Sequence, residues 1–475
     1  MSASEVSTEC STRSDTPKSI GQILKEQLFY LKISMWMFGT SVVSGATANI
    51  VWPYQIVSCF GTTDMEYLNG VIPIAGVFLN VLMLVITGYM SDHTKTRFGK
   101  RRPYILPGTI IMIVFLAAMS RLDGTNSSVA GFILLEVGFY FGQGIAAGAY
   151  SGIIPDVCRM DQAGIASGWL GVMWACGTLT GALVAGSLVP GGDTNTTTYT
   201  NVYGFMIAML GFSAIIALVF MWEDKCDETS FDGTIKGFAW SFYLPSATYY
   251  NFYWVIITRF MNTMGCYMVI GFLYYFTWTV VGYQKLIASS VILATIIAFS
   301  VPSSIIGGYI SDRYSITKYM VYVASIIQAL AIALLIVISY HPSYAGMLVI
   351  LAFFGVGYGC YQCVDWALAL RVLPYNSIGK DMGIWHISFN GPMIVAPFIT
   401  SNILKYMIPK YGLSNSYATV FGFATFWFIL ALFFIIPLDE KMNQPKKMDI
   451  EMAKSSNSSE EVTNIDASVS VTRQV

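Results

Sequence analysis

The chain has 475 residues, 55% of them hydrophobic and only 11% charged, with a mean hydropathy of +0.60. Soluble domains carry about 25% charged residues. No soluble core of this length hides so much apolar surface, so the composition excludes a water-soluble protein, and the net charge of −1 offers no basic face to nucleic acid.

Residues 1–29 are expected to be a polar cytosolic tail. Its first 19 residues are rich in Ser, Thr and Glu and lack the apolar core of a cleaved signal peptide, so the first membrane helix acts as the insertion signal. A spanning helix needs about 20 mostly apolar residues. Such windows fall near 30–57, 67–90, 104–120, 129–152, 164–189 and 203–222, an amino-terminal bundle of six spans over 30–222. A polar cytosolic loop over 223–251 follows, with Glu223, Asp224, Lys225, Asp227, Glu228, Asp232 and Lys236. Six more windows near 252–280, 286–310, 319–340, 344–371, 382–407 and 416–437 make a carboxy-terminal bundle over 252–437. The tail over 438–475 is rich in Ser, Thr, Asn and Glu, a composition expected to be disordered and cytosolic.

Lys and Arg in short loops set the orientation. Lys95, Arg97, Lys100, Arg101 and Arg102 crowd the loop between spans 2 and 3, Arg159 lies in loop 4–5, Arg313 and Lys318 in loop 8–9, and Lys380 in loop 10–11. The even-numbered spans therefore end in the cytosol, and so do both termini. The sequons Asn126-Ser127-Ser128 and Asn195-Thr196-Thr197 fall in loops assigned to the outside, where glycosylation occurs. Of eight cysteines only Cys59 lies near an outer loop, which argues against a disulfide framework. Cys360 and Cys363 form a CxxC within an apolar helix and read as small residues in a helix contact, since no His or second Cys pair accompanies them.

The chain repeats itself. "TGYMSDHTK" at 87–95 matches "GGYISDRYS" at 307–315, pairing Gly88 with Gly308 and Asp92 with Asp312 at an offset of 220. Spans 4 and 10 echo each other at an offset of 219, with Gly138 against Gly357, Gln143 against Gln362 and Pro155 against Pro374. Two six-span repeats joined by a central loop are the pattern of a duplicated transporter, with a substrate expected between the halves near mid-bilayer.

Twelve spans in two halves, with GxxxD and a basic cluster after span 2 and a weaker copy after span 8, resemble the major facilitator superfamily. The resemblance covers about residues 30–437. "GYMSDHTKTRFGKRRPYI", "WPYQIVSCFG" (52–61) and "LLEVGFYFGQG" (134–144) are similar to the sucrose transporters and the broader glycoside–pentoside–hexuronide cation symporters. The chain departs from the plant members, which place an arginine where Ala146, Ala147 and Gly148 stand. The resemblance implies the all-α major facilitator fold. It also implies a cytosolic gate motif made of Gly88, Asp92, Arg97, Gly99, Arg101 and Arg102, repeated by Gly308, Asp312 and Arg313.

Polar groups within spans are expensive and point to function. Glu136 in span 4 is the first candidate for proton coupling, followed by Asp365 in span 10 and His386 in span 11, whose imidazole titrates in the useful range. Arg259 in span 7, Asp365 and His386 are expected to form an inner polar network. Asn49, Gln143, Arg259, Asn262, Gln362 and Asn390 suit a hydroxylated neutral solute, and Trp385 is a candidate ring face for it, with Trp52, Tyr274, Tyr275 and Trp278 as further aromatic candidates. There is no GxxxxGK[ST] loop, no metal-ligand spacing and no Ser-His-Asp pattern, so neither a cofactor nor an enzyme is expected. The expectation is a monomeric carrier of the plasma or vacuolar membrane, working by alternating access as a proton symporter of a sugar or similar polar solute. Proton-driven export of a metabolite or toxic compound is the alternative, and a non-transporting solute sensor a remote one.

Overall fold

A computed structural model describes residues 20–92, 94, 96, 98–122, 128–153, 163–188, 199–221, 246–283, 286–314, 316–372 and 378–438. Among these residues the secondary structure is helical, with turns between helices and no strand. Ten helical segments are long and apolar enough to cross a membrane. One of them runs from Ile387 to Phe434 and bends at Gly412, so it contains spans 11 and 12. Span 1 is interrupted and falls below the length threshold of a single helix. The twelve predicted spans are thereby accounted for, and the chain is an all-α membrane protein.

Helix α1 (Ile20–Ile33) precedes the first span and crosses the expected end of the tail at residue 29. It is held because its apolar side packs: Tyr30 and Ile33 are buried with Phe29 and Trp169, and Trp169 Nε1 donates to Gln27 Oε1 at 2.6 Å. Span 1 consists of α2 (Met35–Ala46), a π-helical turn (Thr47–Val51) and α3 (Trp52–Phe60). Pro53 explains the interruption. It has no N–H to offer the carbonyl four residues earlier, and its ring clashes with an ordinary α-turn there.

Span 2 is α4 (Met65–Val71) and α5 (Pro73–Asp92), separated at Pro73. Spans 3 to 6 are α6 (Arg102–Met119), α7 (Val129–Tyr150), α8 (Ala163–Leu188) and α9 (Thr200–Phe220). Pro103 sits in the first turn of α6, where a missing N–H costs nothing. Ser128 caps α7 by accepting from Gly131 N at 3.0 Å. Span 7 is α10 (Ser246–Ile270) with α11 (Leu273–Thr279). Spans 8 to 10 are α12 (Leu286–Tyr314), α13 (Thr317–Tyr340) and α14 (Tyr344–Val372), and α15 (Ile378–Phe434) holds the last two.

The described chain forms two compact units. The first comprises residues 1–51 and 82–229, the second 52–81 and 230–475. In the first unit α2 packs on α8 and α9, and α6 on α7 and α9. A Cβ on Gly181 would meet the Val42 carbonyl oxygen, so α2 and α8 touch through their backbones. Trp36 on α2 anchors this unit: its Nε1 donates to Thr109 Oγ1 at 3.0 Å, and its ring lies 4.5 Å from that of Tyr150. The second unit uses corresponding pairs. There α10 packs on α15, α13 on α14 and α15, and α12 on α14. A Cβ on Gly359 would strike the Ser300 carbonyl, and Gly307 and Gly308 face the sulfurs of Cys360 and Cys363. The CxxC is thus part of a helix contact.

Candidate functional sites

In the first unit the candidate residues lie on two elements. Glu136 and Gln143 are seven residues apart on α7 and share one face, with Tyr140 between them. The other side of α7 presents Gly138 to Phe115 and Gly142 to the Gly108 carbonyl of α6. Glu136 is 1% exposed, and neither of its carboxyl oxygens has a hydrogen-bond partner among the described residues. Gln143 Oε1 is likewise buried without a partner. Buried polar atoms are nearly always bonded, so two orphaned groups on one helix face call for a functional reason. Asn49 sits within the π-turn of span 1, a geometry frequent at functional sites.

In the second unit three polar residues of α10 share a stripe. Arg259, Asn262 and Cys266 are spaced by three and four residues and face α13 and α14. Arg259 forms a buried ion pair with Asp365 of α14. Its guanidinium carbon stands 3.6 Å over the Trp385 ring and 5.2 Å from that of Phe389, both on α15. Tyr361 lies one turn before Asp365 and interacts with it. Asn262 Nδ2 donates to Ser325 Oγ at 3.4 Å, and Cys266 Sγ approaches Gln328 Oε1 at 3.4 Å. Gln328 Nε2 in turn donates to the Gly357 carbonyl at 3.3 Å. Gln362 bonds the hydroxyl of Tyr358. Asn390 is half-buried on α15.

Of the expected inner network, Arg259 and Asp365 meet, while the side chain of His386 lies outside the described residues. Arg259 is buried at 5% exposure inside the helices of the second unit. Trp385 is buried beneath the guanidinium and against Trp366, with ring centroids 4.8 Å apart. Tyr275 is fully buried and donates to the Pro53 carbonyl at 3.3 Å. Tyr274 packs on Tyr275 and Trp278. Tyr361 and Ser325 escaped the sequence reading because Ser and Tyr are unremarkable in a span until a partner is seen, whereas Gln328 carries the same signal as Gln143 and Gln362, a carboxamide within a span, and could have been found by it. Glu66 escaped it because it stands at a span's edge.

The loop after span 2 is built around Arg101. Its guanidinium donates to Ser91 Oγ at 2.8 Å and fills the space beside Gly152, which has no side chain to oppose it. Gly99 has a φ of +96°, the left-handed region that suits glycine. Gly88 meets the Gly148 carbonyl of α7 at 3.5 Å from where a Cβ would stand. Arg102 Nε is buried without a partner among the described residues, and Arg313 is exposed. The side chains of Asp92 and Asp312 lie outside the described residues, as do Arg97, Asn126 and Asn195 altogether.

A long apolar chain of kinked helices, with corresponding helix pairs in its two units and buried polar groups within its spans, defines a polytopic membrane protein. Residues 35–397 match the Major Facilitator Superfamily, and the chain belongs to that family. It is a secondary transporter and not an enzyme. A comparison with curated protein sequences gives no match. Among solved structures it is similar to a bacterial homologue of the human lysosomal transporter Spinster in an inward-facing, unoccupied conformation (TM-score 0.63, 15% identity, 88% of this chain and 97% of that one). It is also similar to a D-xylose–proton symporter (0.62, 15%, 89% and 99%) and to the nucleoside transporter NupG (0.63, 13%, 86% and 99%).

Proposed function

We propose that the protein is a proton-coupled symporter of a sugar or similar small polar solute, with Glu136 as the proton carrier. The observation that carries this reading is the pair of orphaned groups on one face of α7, Glu136 and Gln143. A carboxyl with no partner is free to take a proton and a solute hydroxyl in turn. A carrier couples two ligands only if each shifts the same conformational equilibrium, and a group that changes charge in a dry helix bundle does so strongly.

Support for a hydroxylated solute comes from the amides of Asn49, Gln143, Asn262, Gln362 and Asn390. Similar solved structures include a D-xylose–proton symporter and a nucleoside transporter, each named for a hydroxyl-rich solute. Asp365 is a weaker proton carrier than Glu136 because Arg259 already occupies it.

The test is a solute-uptake panel in a transport-deficient host, with and without a proton gradient. Wild type is expected to accumulate one of the solutes while acidifying the cytosol, and Glu136→Gln is expected to lose accumulation against a gradient while keeping downhill exchange. Undiminished accumulation by Glu136→Gln removes Glu136 from the mechanism. A host made sensitive to a compound by loss of the protein, without an uptake defect, replaces import by export.

A further inference from the structure

Within the second unit, the segment 52–81 docks on α10, α11 and α15. Polar, aromatic and close backbone contacts hold it. Tyr275 donates to the Pro53 carbonyl at 3.3 Å, and Asn69 Nδ2 donates to the Gly271 carbonyl at 3.1 Å. Gly70 lies so close to α15 that a Cβ would strike the Ser401 side chain. Lys405 Nζ stands 3.6 Å over the Tyr67 ring. Val57 and Met65 complete an apolar cluster with Tyr274, Tyr275, Phe276 and Tyr417. This is the end of the spans opposite the basic loop between spans 2 and 3.

One carboxyl lies inside this contact. Glu66 is 7% exposed, and its Oε1 accepts from the Tyr417 hydroxyl at 3.4 Å. The groups facing it are Tyr417 on α15 and Tyr275 on α11, with Asp64 on its own segment. Asp64 repels a second negative charge. Of the cations on the docking elements, Lys405 is placed over the Tyr67 ring and Arg259 is paired with Asp365, and neither forms an ion pair with Glu66 among the described residues. The carboxylate accepts from its own backbone N–H and, at 3.4 Å, from the Tyr417 hydroxyl, and has no counter-charge among the described residues; the neutral acid fits the same space without an uncompensated buried charge. Undocking the segment returns the group to water, which favours the anion.

We propose that Glu66 is a proton-binding site that keeps the segment 52–81 docked when protonated and releases it when ionised. Conformation and proton are then linked by ordinary reciprocity: the docked state binds the proton better, so protons favour the docked state. The sign follows. Docking is full at low pH and weakens as pH rises. This goes beyond the symport reading, and it needs only the membership in the carrier family.

The test uses the full chain in lipid nanodiscs, with native cysteines replaced and one reporter, Val57→Cys, at a position 9% exposed in the docked state. Maleimide labelling rates are compared between Glu66 and Glu66→Gln backgrounds at equal pH, so the thiol's own ionisation cancels. At about pH 8.5 the Gln variant is expected to label at least about five-fold more slowly, and at about pH 5 at the same rate, as a coupling of this kind requires. Gly70→Leu, which cannot dock, is expected to label fast at both. A rate ratio independent of pH, faster labelling of Glu66→Gln, or no acceleration by Gly70→Leu at low pH overturns the proposal. No transport is measured, so failure of the symport reading leaves this result unaffected.

Discussion

Arg259 is both a charge and a platform. Its guanidinium is paired with Asp365, stacked on Trp385 and close to Phe389, all inside a helical bundle. Desolvating such a pair offsets much of its Coulomb attraction, but removing one partner leaves the other charge buried and alone. Arg259→Gln and Asp365→Asn are each expected to destabilise the protein by about 3–5 kcal/mol, whereas Arg259→Met with Asp365→Leu together lose far less. Thermal unfolding in detergent micelles measures this, and equal losses in the single and double variants contradict it. Each of the two residues was visible in the sequence as a charge within an apolar window. Their pairing was not, because 106 residues separate them and nothing local relates the two. The orphaned state of Glu136 was equally invisible: sequence shows that a carboxyl is present, and only packing decides whether anything reaches it.

At the scale of elements, apolar length located the spans to within a few residues. The breaks within them were less legible. The π-turn before Pro53 could be suspected from a proline in a helix, but an α-kink would satisfy the same chemistry. Gly412 is clearer in the structure than in the sequence. Spans 11 and 12 are joined there with almost no loop, at φ 77° and ψ 171°, a region open essentially to glycine alone. Gly412→Ala is expected to destabilise the carboxy-terminal helices by about 1–3 kcal/mol. A shift in the thermal midpoint checks it, and no shift shows that the bend tolerates a side chain. The predicted tail likewise hid α1, whose apolar side has meaning only once Trp169 is opposite it.

For the whole molecule, Lys and Arg asymmetry predicts both termini in the cytosol. Epitope tags at residues 1 and 475 are expected to resist external protease in intact cells and to be cut after permeabilisation, whereas cleavage of either tag in intact cells reverses the orientation. The repeat in the sequence, Gly88 with Gly308 and Gln143 with Gln362, has a counterpart in helix pairing, where α6 on α7 corresponds to α13 on α14. The sequence by itself determined the solvent, the class of fold and the family. Those follow from hydropathy, length and short local motifs, each readable in one window. Tertiary structure alone decided which polar groups are paired and which are orphaned, that Arg259 belongs to Asp365, and that segment 52–81 packs on the second unit with Glu66 inside the contact. The reason is physical. A buried group's state depends on the few ångströms around it, and in a helical bundle those neighbours come from turns far apart in the chain.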